Sequence, residues 1–194
     1  RLPAYIKRIR AGGINLNPNI HIERDQGATA LINGDNALGH LVMNKAVELA
    51  IEKVKQHSVC WIGSHYGNHS GAASVYVRRL AEQGYIGIYM AVGNANHMAP
   101  WGGIDLLLST NPIAIAVPAG DYPIVLLDIA TTVAAYGKVK VAAQKGESIP
   151  DTWMIDRNGQ PITDPQKSSE GSLLPIGGYK GYGLAVMIGL LAGA

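Results

Sequence analysis

The sequence has little cysteine, no long apolar run and no excess of one charge, and each shortage excludes a class of protein. Cys60 is the only cysteine, so a disulfide framework is excluded, and its apolar neighbours predict a buried thiol. The longest apolar stretch, Leu184 to Ala194, is about half the roughly 20 residues that a membrane-spanning helix needs. With 16 basic and 14 acidic residues, the net charge of +2 favours a small-molecule partner, with no nucleic acid and no membrane.

Two further absences concern targeting and cofactor binding. No hydrophobic region follows the basic residues at the N-terminus, so a secretory signal is excluded in this chain and we expect a cytoplasmic protein. No predicted strand is followed by the GxGxxG fingerprint of a Rossmann unit. A nicotinamide cofactor would therefore have to bind in another way.

Apolar periodicity predicts helices that alternate with buried strands, which is typical of a layered α/β protein with a single core. The spacing predicts helices over 36–57 and 72–83, and strands over 59–62, 85–91, 113–117 and 124–128. Arg157-Asn158-Gly159 is typical of a hairpin turn, and the segment 148–171, rich in Pro, Asp, Ser and Gly, is interpreted as a surface excursion.

Two histidines lie in GSHYGNHSGA, between a predicted strand and a predicted helix, where α/β proteins often present reactive groups. An imidazole with an ordinary pKa near 6.5 can donate and accept a proton at neutral pH, and the small neighbours of His69 leave room for a substrate. His65 and His69 are spaced like a zinc-binding pair, but Gly67 lies between them and no glutamate follows His65. We predict no metal, although a zinc hydrolase that also uses His97 stays an alternative.

Other polar residues lie where a ligand could reach them. Asp128 ends the apolar run IVLLD and could accept hydrogen bonds from ligand hydroxyls, or could equally cap a helix. The loop NANHMAPWGG and the following STNP, with Thr110, are interpreted as a pocket wall, in which His97 is a second candidate proton donor. Lys180 lies among glycines at a predicted helix start, which fits either a phosphate cradle or an exposed glycine-rich turn.

Several short segments, taken in order, resemble one known family. They are RLPAYIKRIRAGG, GDNALGH, GNHSGA, MAPWGG with STNPIAIAVPAGD, LDIATTVAAYGKV, SIPDTW and LLPIGGYKGYGLAVMIGLLAG. Together they are similar to the malate, L-lactate and ureidoglycolate dehydrogenase family, whose relatives include sulfolactate dehydrogenase and piperideine-2-carboxylate reductase. The resemblance implies non-Rossmann oxidoreductases that use NAD or NADP, with helices layered around a mixed, antiparallel-rich sheet.

The resemblance also implies roles for individual residues. His69 matches the catalytic proton donor and acceptor, and Arg1 matches the arginine expected to bind the substrate carboxylate. Thr110 is assigned to substrate binding as well. The cofactor-binding residues that the resemblance implies are Asn94, Asp128, Ile129, Ala130 and Lys180.

The implied function is the interconversion of a 2-hydroxy acid and its 2-oxo acid by a homodimer with active sites near the subunit interface. Malate, lactate, ureidoglycolate, sulfolactate, diketogulonate and cyclic imino acids such as Δ1-piperideine-2-carboxylate all remain open as substrates. The resemblance further implies that residues 1–194 are the central part of one subunit, the cofactor-binding core, with an SHG segment before Arg1 and roughly a further third after Ala194. The alternatives are an imino acid reductase and an inactive ligand-binding fragment. A fragment would expose apolar surface along 184–191, a stretch without a polar face that we expect to be buried on all sides.

Overall fold

The computed structural model describes residues 2–93 and 95–193. The helices within these residues are α1 (Leu2–Arg10), α2 (Gly39–His57), α3 (Ser74–Ala81), α4 (Tyr136–Lys145) and α5 (Tyr179–Gly193), with a short 3-10 helix at Pro165–Glu170. The strands are β1 (His21–Gln26), β2 (Thr29–Ala37), β3 (Trp61–Gly67), β4 (Gly87–Met90), β5 (Ile113–Val117), β6 (Val125–Ile129), β7 (Met154–Asp156) and β8 (Gly171–Leu173). None of the helices in the described ranges is both long and apolar enough to cross a membrane.

The chain divides into two compact units. The first comprises Arg1–Gly87 and Ile115–Leu126, and the second comprises Ile88–Ala114 and Leu127–Ala194. The boundary falls within each of the strands β4, β5 and β6, which form a three-stranded sheet in that order. The predicted strand over 113–117 is confirmed with the same bounds, and the one predicted over 124–128 lies one residue further along.

In the first unit, helix α2 packs on a sheet of order β1-β2-β3. Strand β2 pairs antiparallel with β1 and parallel with β3, so the expected α/β class with a mixed sheet is confirmed. The core between helix and sheet contains Ile32, Ala37, Val42, Ala46 and Leu49. Val42, Ala46 and Leu49 belong to α2 and are spaced three or four residues apart, as the sequence predicted, because one face of the helix covers the sheet.

Helix α2 begins at Gly39, three residues later than predicted. Asp35 and Asn36 have positive φ angles of 47° and 56°, which a right-handed helix cannot contain. The register between β2 and β3 also shifts between Asn33 and Ala37. This irregular stretch ends β2 and delays the start of the helix.

The strand predicted over 59–62 is wrong in its bounds. Val59 is 71% exposed, and β3 runs from Trp61 to Gly67. The apolar run was interpreted as a buried strand, but β3 is positioned by backbone pairing with β2 through residues as polar as Ser64 and His65. Cys60 precedes β3, and its thiol donates a hydrogen bond to the carbonyl oxygen of Ala50 in α2 at 3.4 Å.

A buried cation links helix α2 to the outer strand of this sheet. The Lys53 ammonium pairs with the carboxylate of Asp25 and donates to the carbonyl oxygen of Gly27 at 2.7 Å. A buried ammonium is costly unless it is paired and hydrogen-bonded, and Lys53 meets both conditions.

In the second unit, α4 packs over the antiparallel pair β7-β8. The core here contains Val139, Ala142, Ile149, Met154, Ile162 and Leu173. The interpretation of 148–171 as a surface excursion is therefore wrong, because three of these buried residues belong to that segment. The predicted turn at 157–159 is confirmed, since Asp156 N–H donates to the Gln160 carbonyl oxygen at 2.8 Å and Gly159 has a positive φ of 77°.

Helix α5 packs through one side only. Ala185 and Ile188 are buried, whereas Leu184, Met187, Leu190 and Leu191 are each about half exposed or more. The prediction that this helix is buried on all sides is not met within the described residues. Apolar side chains along 184–191 are exposed instead, as expected if other parts of the protein cover them.

Candidate active site

His69 lies in the first unit, in the loop between β3 and α3. Its side chain is exposed, and its Nδ1 lies 2.6 Å from the hydroxyl oxygen of Tyr5 in α1. The backbone N–H of Gly71 donates to the same Nδ1 at 3.2 Å. The two ring centroids, of Tyr5 and His69, are 5.9 Å apart.

These contacts fix the tautomer of the neutral His69 ring. A backbone N–H can only donate, so Nδ1 must offer its lone pair to Gly71 and carries no proton. The Tyr5 hydroxyl must then donate to Nδ1 as well. The proton of the neutral ring is therefore on Nε2, the nitrogen on the opposite side of the ring.

The loop that carries His69 is held against the start of α2. The side-chain amide of Asn68 donates to the carbonyl oxygens of Asn36 at 2.9 Å and Ala37 at 3.1 Å. Gly39 lies so close that an added Cβ would collide with the carbonyl oxygen of Asn68. A glycine is required here because backbone meets backbone, and this contact sets the position of His69.

Tyr5 was not among the predicted site residues. It belongs to the matched segment RLPAYIKRIRAGG, so the motif pointed to this helix, but the contact joins residues that are far apart in sequence. The Tyr5 ring also contacts the ring of His40, with centroids 5.8 Å apart at nearly a right angle. The predicted substrate residue Arg1, four positions before Tyr5, lies outside the described residues.

His65 is engaged elsewhere. Its Nε2 lies 2.8 Å from a carboxylate oxygen of Glu23 in β1. Hydrogen bonds from His65 first, and from Asn33 second, lower the pKa of Glu23. His65 is thus hydrogen-bonded to another strand of the sheet, and no cluster of three or more potential metal ligands occurs in the ranges 2–93 and 95–193.

The predicted cofactor residues that are described lie in the second unit and meet around Thr131. Asp128 and Ile129 end strand β6, Asp128 is exposed, and Ala130 follows. Thr131 is fully buried, and both its N–H, at 3.0 Å, and its hydroxyl, at 3.1 Å, donate to the carbonyl oxygen of Thr110.

The carbonyl oxygen of Thr131 in turn accepts the N–H of Ile176 at 2.9 Å, in the glycine turn that precedes Lys180. Gly177 and Gly178 both have positive φ angles in this turn, and the exposed Lys180 lies in the first turn of α5. Thr131 therefore joins the three segments that carry Thr110, Asp128 and Lys180. Thr131 was missed because a buried threonine carries no chemical signature, although it lies in the matched segment LDIATT.

Asn94 lies outside the described residues, but Gly93 immediately before it is hydrogen-bonded to the buried side chain of Asn111. Asn111 is buried, and its side-chain amide donates to the carbonyl oxygen of Ala185 in α5 at 2.9 Å. Its side-chain oxygen accepts the N–H of Gly93 at 3.3 Å. Asn111 thereby anchors the chain immediately before Asn94 to the helix that begins beside Lys180.

His97, the second candidate proton donor, is stacked on Tyr136. The ring centroids are 3.9 Å apart and the planes differ by 11°. Burial first, and the charge of Lys140 second, lower the pKa of His97. His97 is therefore half-buried within the second unit and stays neutral, which disfavours it as an acid.

The site residues suit a nicotinamide cofactor. An exposed lysine can pair with phosphate, an exposed carboxylate can accept ribose hydroxyls, and backbone hydrogen bonds hold both in place. His69, in the first unit, carries an imidazole, the side chain that most readily exchanges a proton near neutral pH. These are the residue types that pyridine-nucleotide oxidoreductases without a Rossmann fingerprint require.

The chain belongs to the malate/L-lactate dehydrogenase family, which matches it over residues 1–194. It is 44% identical over 193 residues to L-sulfolactate dehydrogenase of Methanothermobacter thermautotrophicus, which covers 100% of this chain and 56% of that enzyme. It is 40% identical over 193 residues to ureidoglycolate dehydrogenase (NAD(+)) of Escherichia coli, covering 100% of this chain and 54% of that enzyme.

A solved structure shows the same fold. Δ1-piperideine-2-carboxylate reductase from Pseudomonas syringae superposes with a TM-score of 0.92 at 30% identity, over 99% of this chain and 58% of that one. The chain thus spans little more than half the length of the relatives it matches. The family resemblance expected from the sequence is confirmed.

Proposed function

We propose that the protein interconverts a 2-hydroxy acid and its 2-oxo acid with NAD(H) or NADP(H), and that His69 transfers the proton. The observation that carries this proposal is the geometry at His69, where two donors on Nδ1 leave the proton on Nε2. Family membership supports the reaction class.

The cofactor, when bound, supplies a hydride to the carbonyl carbon or accepts one from the alcohol carbon. In the reducing direction, the His69 Nε2 proton passes to the carbonyl oxygen as that carbon is reduced. The ring must then regain a proton, and the Tyr5 hydroxyl can pass its own proton to Nδ1 while it takes another from water, since this hydrogen bond is exposed. Tyr5 is in this scheme a positioning residue that acts through His69.

Lys180 and Asp128 provide the binding charges. The Lys180 ammonium pairs with a phosphate group, and the Asp128 carboxylate accepts a ribose hydroxyl. Ile129, Ala130 and Asn94 are further residues assigned to cofactor binding. Thr110 and Arg1 are assigned to the substrate, whose carboxylate suits the two-pronged donor of an arginine. The active form is a cytoplasmic homodimer with the site near the interface.

A second candidate reaction is reduction of a cyclic imino acid, because the fold superposes closely on a piperideine-2-carboxylate reductase. The protonation requirement differs between the two reactions. A carbonyl oxygen gains a proton during reduction, whereas an iminium nitrogen already carries one, so His69 matters less for the imine.

The test is oxidation of NADH and of NADPH with a panel of 2-oxo acids and with Δ1-piperideine-2-carboxylate, for wild type and His69→Gln. We expect turnover of at least one oxo acid and a loss of roughly 100-fold to 10,000-fold in His69→Gln. Turnover that is equal in the variant would contradict the role of His69. Turnover of the imine alone would favour the second reaction, and oxidation of neither cofactor would favour an inactive ligand-binding fragment.

A further inference from the structure

Trp101 is presented to solvent by a tight turn in the second unit. The N–H of Gly103 donates to the carbonyl oxygen of Pro100 at 2.9 Å, and Gly102 has a φ of +80°. A positive φ at the third position is typical of a type II turn, which places Trp101 at the second position with its side chain pointing outward. Trp101 is 57% exposed.

The Trp101 ring lies against the glycine turn that precedes Lys180. An added Cβ on Gly178 would lie 3.1 Å from Cη2 and 3.2 Å from Cζ3 of Trp101, so a side chain there would push the ring back by a few tenths of an ångström. Next along the chain, the Tyr179 ring lies with its centroid 6.3 Å from that of Trp101 and its plane turned by 71°. The two aromatic rings form a corner beside Lys180.

The composition of this corner indicates a ligand that is flat at one end and anionic at the other. Tyr179 is 63% exposed, so two large aromatic side chains face solvent side by side. The adjacent Lys180 is exposed and forms no ion pair within the described part of the chain. Aromatic faces stack on heterocyclic bases without regard to base sequence, and an ammonium pairs with phosphate.

We propose that Trp101 stacks on the adenine ring of the dinucleotide, with the edge of the base against Tyr179 and a phosphate on Lys180. This assignment rests on the proposed function and adds to it the subsite for the base. Adenine is favoured over nicotinamide because the corner is formed by two aromatic rings and a lysine and contains no histidine to exchange a proton with the substrate. The adenine undergoes no chemistry and needs only a stacking surface.

The experiment measures binding of NADH, ADP and nicotinamide mononucleotide to the purified protein and three variants. Trp101→Leu removes the stacking surface, and Trp101→Phe keeps an aromatic face. Trp61→Leu is the matched control, since Trp61 is 52% exposed and lies in the other unit. Affinity is measured by calorimetry, and proximity by energy transfer from tryptophan to bound NADH.

For Trp101→Leu we expect affinities for NADH and ADP that are roughly tenfold weaker, with that for nicotinamide mononucleotide unchanged. Trp101→Phe should recover most of that affinity and should lower the energy transfer more than Trp61→Leu does, since Trp153 and the other remaining tryptophan still act as donors, and Trp61→Leu should leave the affinity unchanged. The melting temperature of each variant separates loss of fold from loss of the base contact.

Equal ADP affinity in wild type and Trp101→Leu, with both proteins folded, would overturn the assignment. Weakened nicotinamide mononucleotide binding with unchanged ADP binding would also overturn it, since the corner would then hold the other ring. The subsite can be judged separately from the proposed reaction. If the protein oxidises NADH and Trp101→Leu leaves ADP affinity unchanged, only the subsite is refuted. If Trp101→Leu weakens ADP binding but no substrate is turned over, only the proposed reaction is refuted.

Discussion

Replacing Tyr5 with phenylalanine removes one oxygen atom and tests whether the Tyr5 hydroxyl takes part in proton transfer through His69. The hydroxyl lies 2.6 Å from Nδ1 of His69, in a part of the site that water can reach. A neutral hydrogen bond of this kind contributes about 1 kcal/mol, which corresponds to roughly fivefold in rate if it is made fully in the transition state. The same hydroxyl also returns a proton to the ring, so we expect kcat of Tyr5→Phe to fall roughly 5-fold to 50-fold.

The assay is steady-state reduction of the preferred oxo acid as a function of pH. Without the Tyr5 hydroxyl, the proton that replaces the one given up at Nε2 has to reach Nδ1 directly from water. The kcat of Tyr5→Phe should therefore be lower than that of wild type at each pH tested. The Michaelis constant for the cofactor should stay unchanged, because Tyr5 acts through His69.

A double-mutant comparison decides whether Tyr5 works through His69. If it does, Tyr5→Phe combined with His69→Gln is no slower than His69→Gln alone. Tyr66→Phe is the matched control, because Tyr66 is an exposed tyrosine whose ring contacts His65. Additive losses in the double mutant, or a Tyr5→Phe enzyme with the kcat and pH profile of wild type, would refute the proposed path.

Four further substitutions test other parts of the structure. Lys180→Ala should mainly raise the Michaelis constant for the cofactor, since a phosphate contact is made in the ground state as well as in the transition state; unchanged cofactor kinetics would make Lys180 a surface residue. Gly39→Ala should lower the free energy of unfolding in urea by about 1–3 kcal/mol and reduce activity, because its Cβ collides with the Asn68 backbone. Gly183→Ala, whose Cβ meets open space within α5, should instead stabilise by roughly 0.5–1 kcal/mol. The lowered pKa of His97 means that the folded state resists its protonation, so His97 reduces stability as the pH falls below the ordinary value of 6.5. The melting temperature of His97→Gln should therefore fall less than that of wild type between neutral and mildly acidic pH. An identical fall in the two proteins would contradict the lowered pKa of His97.

The elements that the sequence predicted are those in which side-chain burial follows the period of the backbone. Helix α2 buries one face on a sheet, and β5 alternates between buried alanines and half-buried isoleucines and valine. Strand β1 could not be found in this way, because all six of its residues are exposed and HIERDQ has no apolar face. It is a strand because β2 offers it a hydrogen-bonding edge, which is information that only the folded chain contains.

The residues of the candidate site also fall into those that the sequence could predict and those that it could not. His69, Asp128 and Lys180 carry chemical groups in short motifs, so the sequence alone is enough to single them out. Tyr5 and Thr131 could not be found in this way. Each matters through a contact with a distant part of the chain, Tyr5 with His69 and Thr131 with Thr110, and their residue types alone suggest packing as readily as function.

The hydrogen bond from Cys60 to Ala50 has a practical consequence. It places the only thiol of the chain where α2 meets the start of β3, half-buried, and burial raises the pKa of that thiol. Alkylating reagents attack the thiolate, so modification of the native protein is slow at neutral pH. Opening of α2 breaks the hydrogen bond to Ala50 and exposes the thiol further, so the increase in alkylation rate in dilute denaturant reports on this helix without introducing a label.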